Sequence, residues 1–145
     1  MTSWLTQMQR FRESPGSAPP IAQLIGFRLA EIAPGRAVFT LAAGDVHHNP
    51  MGTLHGGILC DLADAAMGSA YAATLHEGET FTTLELKINF LKPVWRAQLT
   101  AVGTVVRSGR TVGLAECDVW DDGHHLVARA SSTCMTLRGR KAAGR

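Results

Sequence analysis

The sequence contains little that would mark a disulfide-rich, metal-stabilised or secreted protein. Only three cysteines occur in 145 residues, they are far apart, and none belongs to a C-x-x-C pair: Cys60, Cys117 and Cys134. An odd number of scattered cysteines favours neither a disulfide framework nor a zinc site, and it fits a reducing cytoplasm. The N-terminus also lacks the basic and apolar segments of a secretory signal. We therefore expect a cytoplasmic protein without a metal site.

Strong charge of one sign is absent as well. The formal net charge is +2, and the basic residues are dispersed except in the tail at 138–145. We interpret that tail as a flexible, solvated end, and we expect no nucleic-acid partner. A hydrophobic content of 46% excludes disorder, and the length predicts a single domain over residues 1–145.

One apolar run, from Ile58 to Leu75, organises the rest of the chain. It is rich in alanine and leucine, contains no proline and is apolar nearly all round, which predicts a buried helix. Asp61 and Asp64 lie within it and exclude a membrane span, so we expect no membrane partner. Because a buried carboxylate needs partners, both aspartates are candidate functional residues.

The flanking segments predict the other elements. Helical spacing and capping residues predict short helices at 2–13 and 21–25, whereas alternation and turn residues predict strands at 27–32, 37–41, 82–90, 96–106, 111–120 and 125–137. The order is a hairpin, one long helix and an antiparallel meander. It predicts an α+β fold in which a curled antiparallel sheet of five or six strands wraps around the helix. A second subunit is expected to cover the side of the helix that the sheet leaves open.

Strict alternation in the strand at 82–90 predicts which side chains face the helix. The apolar face would carry Thr82, Leu84, Leu86, Ile88 and Phe90, and the opposite face Thr83, Glu85, Lys87 and Asn89. On this pattern Thr83 points away from the helix.

Two glycines at the start of the buried helix predict a site for negative charge. Gly56 and Gly57 would expose backbone N–H groups at the positive end of the helix dipole, where an oxyanion can be stabilised. Asp64 is the candidate base, but eight residues of helix separate it from Gly56 by about 12 Å along the axis. A reacting carbon must contact both groups, so we expect an active site shared by two subunits of a homodimer. Asp61 shares a broad face with Asp64, and spacing alone does not choose between them.

The histidine- and glycine-containing segment before this helix resembles a known family. The pattern is His47-x-Asn49-x-x-Gly52-x-x-His55-Gly56-Gly57, followed by Leu62-Ala63-Asp64-x-Ala66, and further likeness lies at 84–93 and 127–130. It resembles the hotdog-fold acyl-CoA thioesterases of the phenylacetate-degradation and 4-hydroxybenzoyl-CoA thioesterase type, over roughly residues 20 to 137. The resemblance implies hydrolysis of an aromatic or medium-chain acyl-CoA to free acid and CoA. It implies no cofactor other than the CoA of the substrate, and a homodimer or a dimer of dimers.

The resemblance also implies roles for single residues. The family's catalytic carboxylate falls on Asp64, the oxyanion amide on Gly56, the asparagine near the thioester on Asn49, and the motif histidine on His55. Gly57 belongs to the same substrate-binding turn.

Two further features of the family have partial matches. Some relatives hold the attacking water with a hydroxyl one helical turn after the carboxylate, where this chain has Gly68. Others use a strand hydroxyl, which falls on Thr83. Arg107 and Arg110 resemble the basic contact for the phosphates of CoA.

Two other functions are open at this point. A hydroxyacyl-thioester dehydratase of the same fold would pair the helix carboxylate with a catalytic loop histidine, for which His47 or His48 is available. A non-catalytic acyl-CoA-binding protein would bind the thioester without hydrolysing it.

Overall fold

The computed structural model describes residues 3–143, which form three α-helices and six β-strands. The helices are α1 (Trp4–Glu13), α2 (Pro20–Ile25) and α3 (Gly56–Ala72). The strands are β1 (Arg28–Ala33), β2 (Arg36–Ala43), β3 (Thr80–Phe90), β4 (Ala97–Ser108), β5 (Val112–Trp120) and β6 (Leu126–Leu137). Each predicted element is present, with ends that differ by a few residues.

The six strands form one antiparallel sheet in the order β1-β2-β4-β5-β6-β3, and the sheet curls around α3. The sheet approaches the helix closely at Gly103 in β4, where an added Cβ would lie 2.4 Å from the backbone carbonyl of Ala66. Only glycine allows the sheet to lie directly against the helix backbone there. This arrangement confirms the predicted α+β fold with a curled sheet and one long helix.

The predicted meander is wrong for β3. Strands β4, β5 and β6 do form a meander, but β3 pairs with β6 and lies at the edge of the sheet. The reason is that β2 and β5 occupy both sides of β4. The strand that follows α3 therefore takes the free side of β6.

A β-bulge in β3 changes which of its side chains face the helix. Thr83 pairs with Cys134, whereas Glu85 pairs with Thr133, so Leu84 is an extra residue without a partner. Side chains of directly paired residues lie on the same face of a sheet. Thr83, Leu86 and Ile88 are paired with Cys134, Ser132 and Ala130, which are all buried.

The prediction of strict alternation is therefore wrong. The bulge brings Thr83 to the helix-facing side of the sheet and leaves Leu84 53% exposed.

Most of α3 is buried, but one strip of it is open. Leu62, Ala66 and Ala70 on the sheet side have no exposed surface, whereas Asp61 and Asp64 on the opposite side are exposed. The helix is thus open to solvent along the line of its two carboxylates. This open strip is where the sequence predicts a second subunit.

The two ends of the described chain meet beside the start of β3. Ser3 caps α1, and the Trp4 indole donates a hydrogen bond of 3.0 Å to the Glu79 carbonyl. Arg138 donates to the Glu79 carboxylate over 2.7 Å. Thr2, the predicted first residue of α1, and the last residues of the basic tail lie outside the described part, so the flexibility of the tail stays a prediction.

Among residues 3–143, no helix is long and apolar enough to cross a membrane. The three cysteines are free thiols.

Candidate active site

The histidine that precedes α3 caps the helix. His55 is in an extended conformation, and its Nδ1 accepts a hydrogen bond of 2.9 Å from the Gly57 N–H. An added Cβ at Gly57 would lie 2.9 Å from that same nitrogen, so glycine makes room for the capping ring. The Gly57 amide is therefore already used within the chain, and His55 organises the turn.

The Gly56 N–H, by contrast, has no acceptor among the described residues. Its neighbours are satisfied: the His55 N–H donates to the His47 carbonyl over 2.9 Å, and the Ile58 N–H donates to the His55 carbonyl over 3.0 Å. The free amide lies at the positive end of α3, where partial charges favour an anion. Among residues 55–58 it is the one N–H group that has no acceptor in the described part of the chain.

Phe90 lies against the same glycine. An added Cβ at Gly56 would be 2.8 Å from the Phe90 Cζ, so the ring packs directly on the Gly56 backbone. The ring itself is 55% exposed. The sequence placed Phe90 on an apolar face, but no pattern in the sequence linked it to the free amide.

The Asn49 side chain makes three hydrogen bonds within its own loop. Its side-chain carbonyl accepts hydrogen bonds from the Met51 and Thr53 N–H groups, and its amide donates to the Thr53 hydroxyl over 2.9 Å. Gly52 turns the chain back with a φ of +79°. One N–H of the Asn49 amide is left over, since that group carries two hydrogens. The main role of Asn49 in the single chain is thus to shape the loop before His55.

The loop histidines are held by backbone hydrogen bonds. His47 is buried, its Nδ1 accepts from the Gly44 N–H, and its Nε2 consequently donates to the Ile25 carbonyl over 2.7 Å. His48 donates from Nε2 to the Trp95 carbonyl over 2.7 Å. A dehydratase histidine needs a ring nitrogen free to exchange a proton with substrate. The ring of His47 has none, and His48 retains only the nitrogen that faces Asp45, 3.8 Å away.

Asp64 accepts a hydrogen bond from β3, the strand that contains the bulge. The Thr83 hydroxyl donates a hydrogen bond of 3.2 Å to Oδ1 of Asp64. Partial burial beside β3 raises the pKa of Asp64, the Thr83 hydrogen bond lowers it, and the negative charge of Asp61 raises it. The net shift is upward, which makes this carboxylate a better proton acceptor than an ordinary aspartate.

Asp61 lacks these contacts. It is exposed, and no described residue makes a hydrogen bond or an ion pair with its side chain. Gly68, one turn beyond Asp64, supplies no hydroxyl and instead makes room for Phe81, whose ring would lie 3.3 Å from an added Cβ. The structure therefore distinguishes the two aspartates that spacing left equivalent.

The candidate phosphate contacts lie at the other end of α3. Arg107 and Arg110 flank the turn between β4 and β5, and in residues 3–143 neither guanidinium has an acidic partner. In the same hairpin, an added Cβ at Gly113 would lie 2.4 Å from the Tyr71 ring. The hairpin thus packs on the C-terminal half of the helix, which begins at Gly56.

No group of three or more potential metal ligands occurs in the described part of the chain. The groups assembled at α3 are a free amide and a carboxylate with a raised pKa. An amide of this kind can stabilise a carbonyl oxygen, and a carboxylate of this kind can act as a base or a nucleophile.

Comparison with known proteins decides the family. The model of the Thioesterase superfamily matches residues 51–128, which include Gly56, Asp64 and Thr83. The chain belongs to the Thioesterase superfamily. The matching relatives and solved structures include proteins named as thioesterases and as an acyl-CoA hydrolase. The protein is therefore a thioester hydrolase with the hotdog fold.

Relatives match this thioesterase over most of their length. A protein of Saccharolobus solfataricus is 33% identical over 121 residues, which are 83% of this chain and 86% of that protein. The 1,4-dihydroxy-2-naphthoyl-CoA hydrolase of Listeria monocytogenes is 26% identical over 83% of this chain and 98% of its own.

A solved structure gives the same result. A thioesterase family protein from Silicibacter pomeroyi superposes with a TM-score of 0.80 at 27% identity, covering 91% of this chain and 99% of that one.

Proposed function

We propose that this thioesterase hydrolyses an aromatic or medium-chain acyl-CoA to the free acid and CoA, with Asp64 of one subunit and Gly56 of another. The observation that carries the proposal is the free Gly56 N–H at the start of α3, together with a carboxylate on the same helix that Thr83 holds in place. The Listeria relative is named for an aromatic acyl-CoA, and this supports the aromatic class of substrate.

The chemistry requires only these groups. The Gly56 N–H donates to the thioester carbonyl oxygen and stabilises the negative charge that develops there. Asp64 takes a proton from water as the water oxygen bonds to the carbonyl carbon, or attacks that carbon directly to form an anhydride that water then cleaves. The carbon–sulfur bond breaks, and the thiolate leaves and takes up a proton. Because a thiol has a pKa of about 8.5, no strong acid is needed for its departure.

Helix geometry supports the participation of a second subunit in this reaction. Eight residues of α3 separate Gly56 from Asp64 by about 12 Å, whereas a reacting carbon must lie within about 3 Å of each group. Antiparallel packing of two α3 helices along their open strips would bring Gly56 of each chain to Asp64 of the other. The edge strand β3 borders this strip and presents unpaired backbone groups, which favours strand pairing across the same interface.

The remaining contacts follow from this arrangement. Asn49 and His55 hold the turn that aims the Gly56 amide, and the Gly57 amide serves the same turn through His55. We assign Arg107 and Arg110, in the hairpin that packs on the C-terminal half of α3, to the phosphates of CoA, since arginine matches phosphate geometry. A dimer of dimers is compatible with this interface.

The direct test is thiol release from phenylacetyl-, hydroxybenzoyl- and octanoyl-CoA by the wild type and by Asp64→Asn. Asp61→Asn is the matched control, because it removes the same charge from the same helix. We expect Asp64→Asn to lose activity by about a hundredfold or more and Asp61→Asn to keep most of it. Equal losses in both variants, or no thiol release by the wild type, would overturn the proposal.

A further inference from the structure

One aromatic ring lies against the backbone that carries the free amide. An added Cβ at Gly56 would be 2.8 Å from the Phe90 Cζ and 3.1 and 3.3 Å from the two Cε atoms, so the tip of the ring points at this residue. The Gly56 nitrogen and the added Cβ are both bonded to the same Cα, and the ring tip therefore lies within about 6 Å of that nitrogen. Only glycine at position 56 leaves room for this contact.

The sheet holds the ring in this position. Phe90 is the last residue of β3 and pairs with Ala128 of β6, which has no exposed surface, so its side chain points to the helix side of the sheet. Directly after it, the Leu91 and Lys92 N–H groups both donate to the Val127 carbonyl, over 2.8 and 3.2 Å. The backbone of Phe90 is thus fixed beside the start of α3.

Phe90 does not belong to the hydrophobic core. Its side chain is 55% exposed, and it lies outside the cluster of buried apolar residues that packs on α3. Burial stabilises a side chain in proportion to the apolar area removed from water, so Phe90 contributes less to folding than a core phenylalanine. Shortening this side chain should therefore leave the protein folded. What the ring does cover is the backbone of Gly56.

An apolar neighbour matters for an amide that binds a developing negative charge. Water competes for the N–H donor and screens the charge, whereas an apolar ring does neither, so the hydrogen bond is stronger where water is excluded. A carbonyl oxygen that accepts from the Gly56 N–H lies about 3 Å from the nitrogen, and its carbon lies within about 4 Å. The reacting group would thus lie within a few ångströms of the nitrogen that the ring borders.

We propose that Phe90 is a positioning residue of this thioesterase, whose ring keeps water away from the Gly56 N–H while that group binds the thioester oxygen. The inference rests on the proposed function, because it assigns the Gly56 amide to the thioester carbonyl. The ring acts through the amide and takes no part in bond making. Its effect therefore falls on the chemical step rather than on the binding of CoA, and it is similar for every acyl group.

The kinetic test compares Phe90→Ala, Phe90→Leu and Leu91→Ala with the wild type on phenylacetyl-, hydroxybenzoyl- and octanoyl-CoA. Phe90→Ala should lower kcat by about tenfold with little change in KM, because loss of a whole oxyanion donor costs about a hundredfold or more. Phe90→Leu keeps an apolar group at the amide and should lose less. Leu91→Ala is the matched control, because it shortens the next side chain, which is also 55% exposed.

The control should keep most of the activity. A loss that appears in KM alone, or that is equal in Phe90→Ala and Leu91→Ala, would overturn the role of Phe90. Sedimentation of each variant checks that it has the same assembly as the wild type, so that a weakened subunit contact is not mistaken for a slower chemical step.

Amide hydrogen exchange tests the shielding without any hydrolysis. In protein labelled isotopically at glycine, the Gly56 N–H should exchange with water several-fold faster in Phe90→Ala than in the wild type. The Gly57 N–H, which donates to the His55 Nδ1, should keep its rate and serves as an internal reference. Leu91→Ala should leave both rates unchanged.

The two readouts separate this inference from the proposed function. Faster exchange of the Gly56 N–H in Phe90→Ala supports the shielding even if the wild type releases no thiol, and the failure then lies with the proposed reaction. Thiol release by the wild type, combined with the same Gly56 exchange rate in both proteins, would reject the role of Phe90 and leave the hydrolysis intact.

Discussion

The Thr83 hydroxyl donates a hydrogen bond of 3.2 Å to the Asp64 carboxylate, and it reaches that carboxylate only because Leu84 is bulged out of β3. Without the extra residue, the side chain at position 83 would point away from α3. The contact lowers the pKa of Asp64, whereas burial raises it. Burial disfavours the charged form, and a hydrogen bond to the charged form favours it. The same residue can orient the attacking water.

Thr83→Val should raise the pKa of Asp64 further, because it removes the hydrogen bond that lowers it and nearly preserves the side-chain shape. Asp64 must be ionised to act, so the acidic limb of the profile of kcat/KM against pH should move to higher pH. Thr82→Val, on the other face of the strand, is the control. A profile that is the same in all three proteins would show that Thr83 does not act on the carboxylate.

Asp61→Asn should have the opposite effect on the same profile. The Asp61 charge raises the pKa of Asp64, so its removal lowers that pKa and extends activity to lower pH. The measurement is again kcat/KM against pH, at low ionic strength because salt screens exposed charges. A shift towards higher pH would contradict the assigned interaction.

The sequence was sufficient to predict the positions of the strands, the short helices and the long helix, because apolar runs, alternation and turn residues are local signals. It was not sufficient for the face that carries Thr83. Alternation assumes an uninterrupted ladder, and the bulge at Leu84 depends on pairing with β6, some 50 residues further along the chain. The predicted position of β3 was wrong for a similar reason. Strand β4 pairs with β2 on one side and β5 on the other, and local sequence patterns do not show these pairings.

Local sequence signals also predicted part of the candidate site. Glycines at a helix start and an aspartate eight residues later are visible in the sequence, and they identified Gly56 and Asp64 as candidates. The sequence did not show how the two amides of the turn are bonded. The Gly57 amide donates a hydrogen bond to His55, whereas the Gly56 amide has no acceptor in the described part of the chain. Nor could the sequence show that Phe90 packs on the Gly56 backbone, since that requires β3 to lie beside the start of α3.

Gly103→Ala should destabilise the protein strongly. The new methyl group would lie 2.4 Å from the Ala66 carbonyl, and backbone on both sides must move to make room. We expect a loss of about 1–3 kcal/mol or more in the free energy of unfolding, measured by urea denaturation. Gly44→Ala, where an added Cβ meets nothing within 4 Å, should change it by much less. Similar losses in the two variants would contradict the close packing of β4 on α3.

Asp121→Asn should lower Tm at neutral pH. The buried Asp121 carboxylate accepts hydrogen bonds from Lys92 over 2.6 Å and from the His125 N–H over 2.9 Å, and these contacts hold its pKa well below the usual range. A depressed pKa contributes stability above the unfolded-state value of about 3.9 and loses it as pH falls. The difference in Tm between wild type and variant should therefore shrink below about pH 4. A difference that grows on acidification would contradict this account.

If Gly56 and Asp64 of different subunits form one site, loss of the Gly56 N–H should abolish hydrolysis, and two variants isolate its contribution. Gly56→Pro removes the N–H at the first position of a helix, where proline is well tolerated, and the extended conformation of His55 suits a following proline. Gly56→Ala keeps the N–H and makes a similar contact with Phe90. Gly56→Pro should lose most thiol release, whereas Gly56→Ala should retain more of it.

Thiol release by subunits co-expressed as Gly56→Pro and Asp64→Asn tests whether the two residues act across the dimer. In a mixed dimer, one site receives both altered residues and the other receives both native residues. If subunits combine at random, half of the dimers are mixed, and activity should return to about a quarter of the wild-type value although each variant alone is inactive. If mixed dimers form but show no activity above that of the separate variants, Gly56 and Asp64 of different subunits do not form one site.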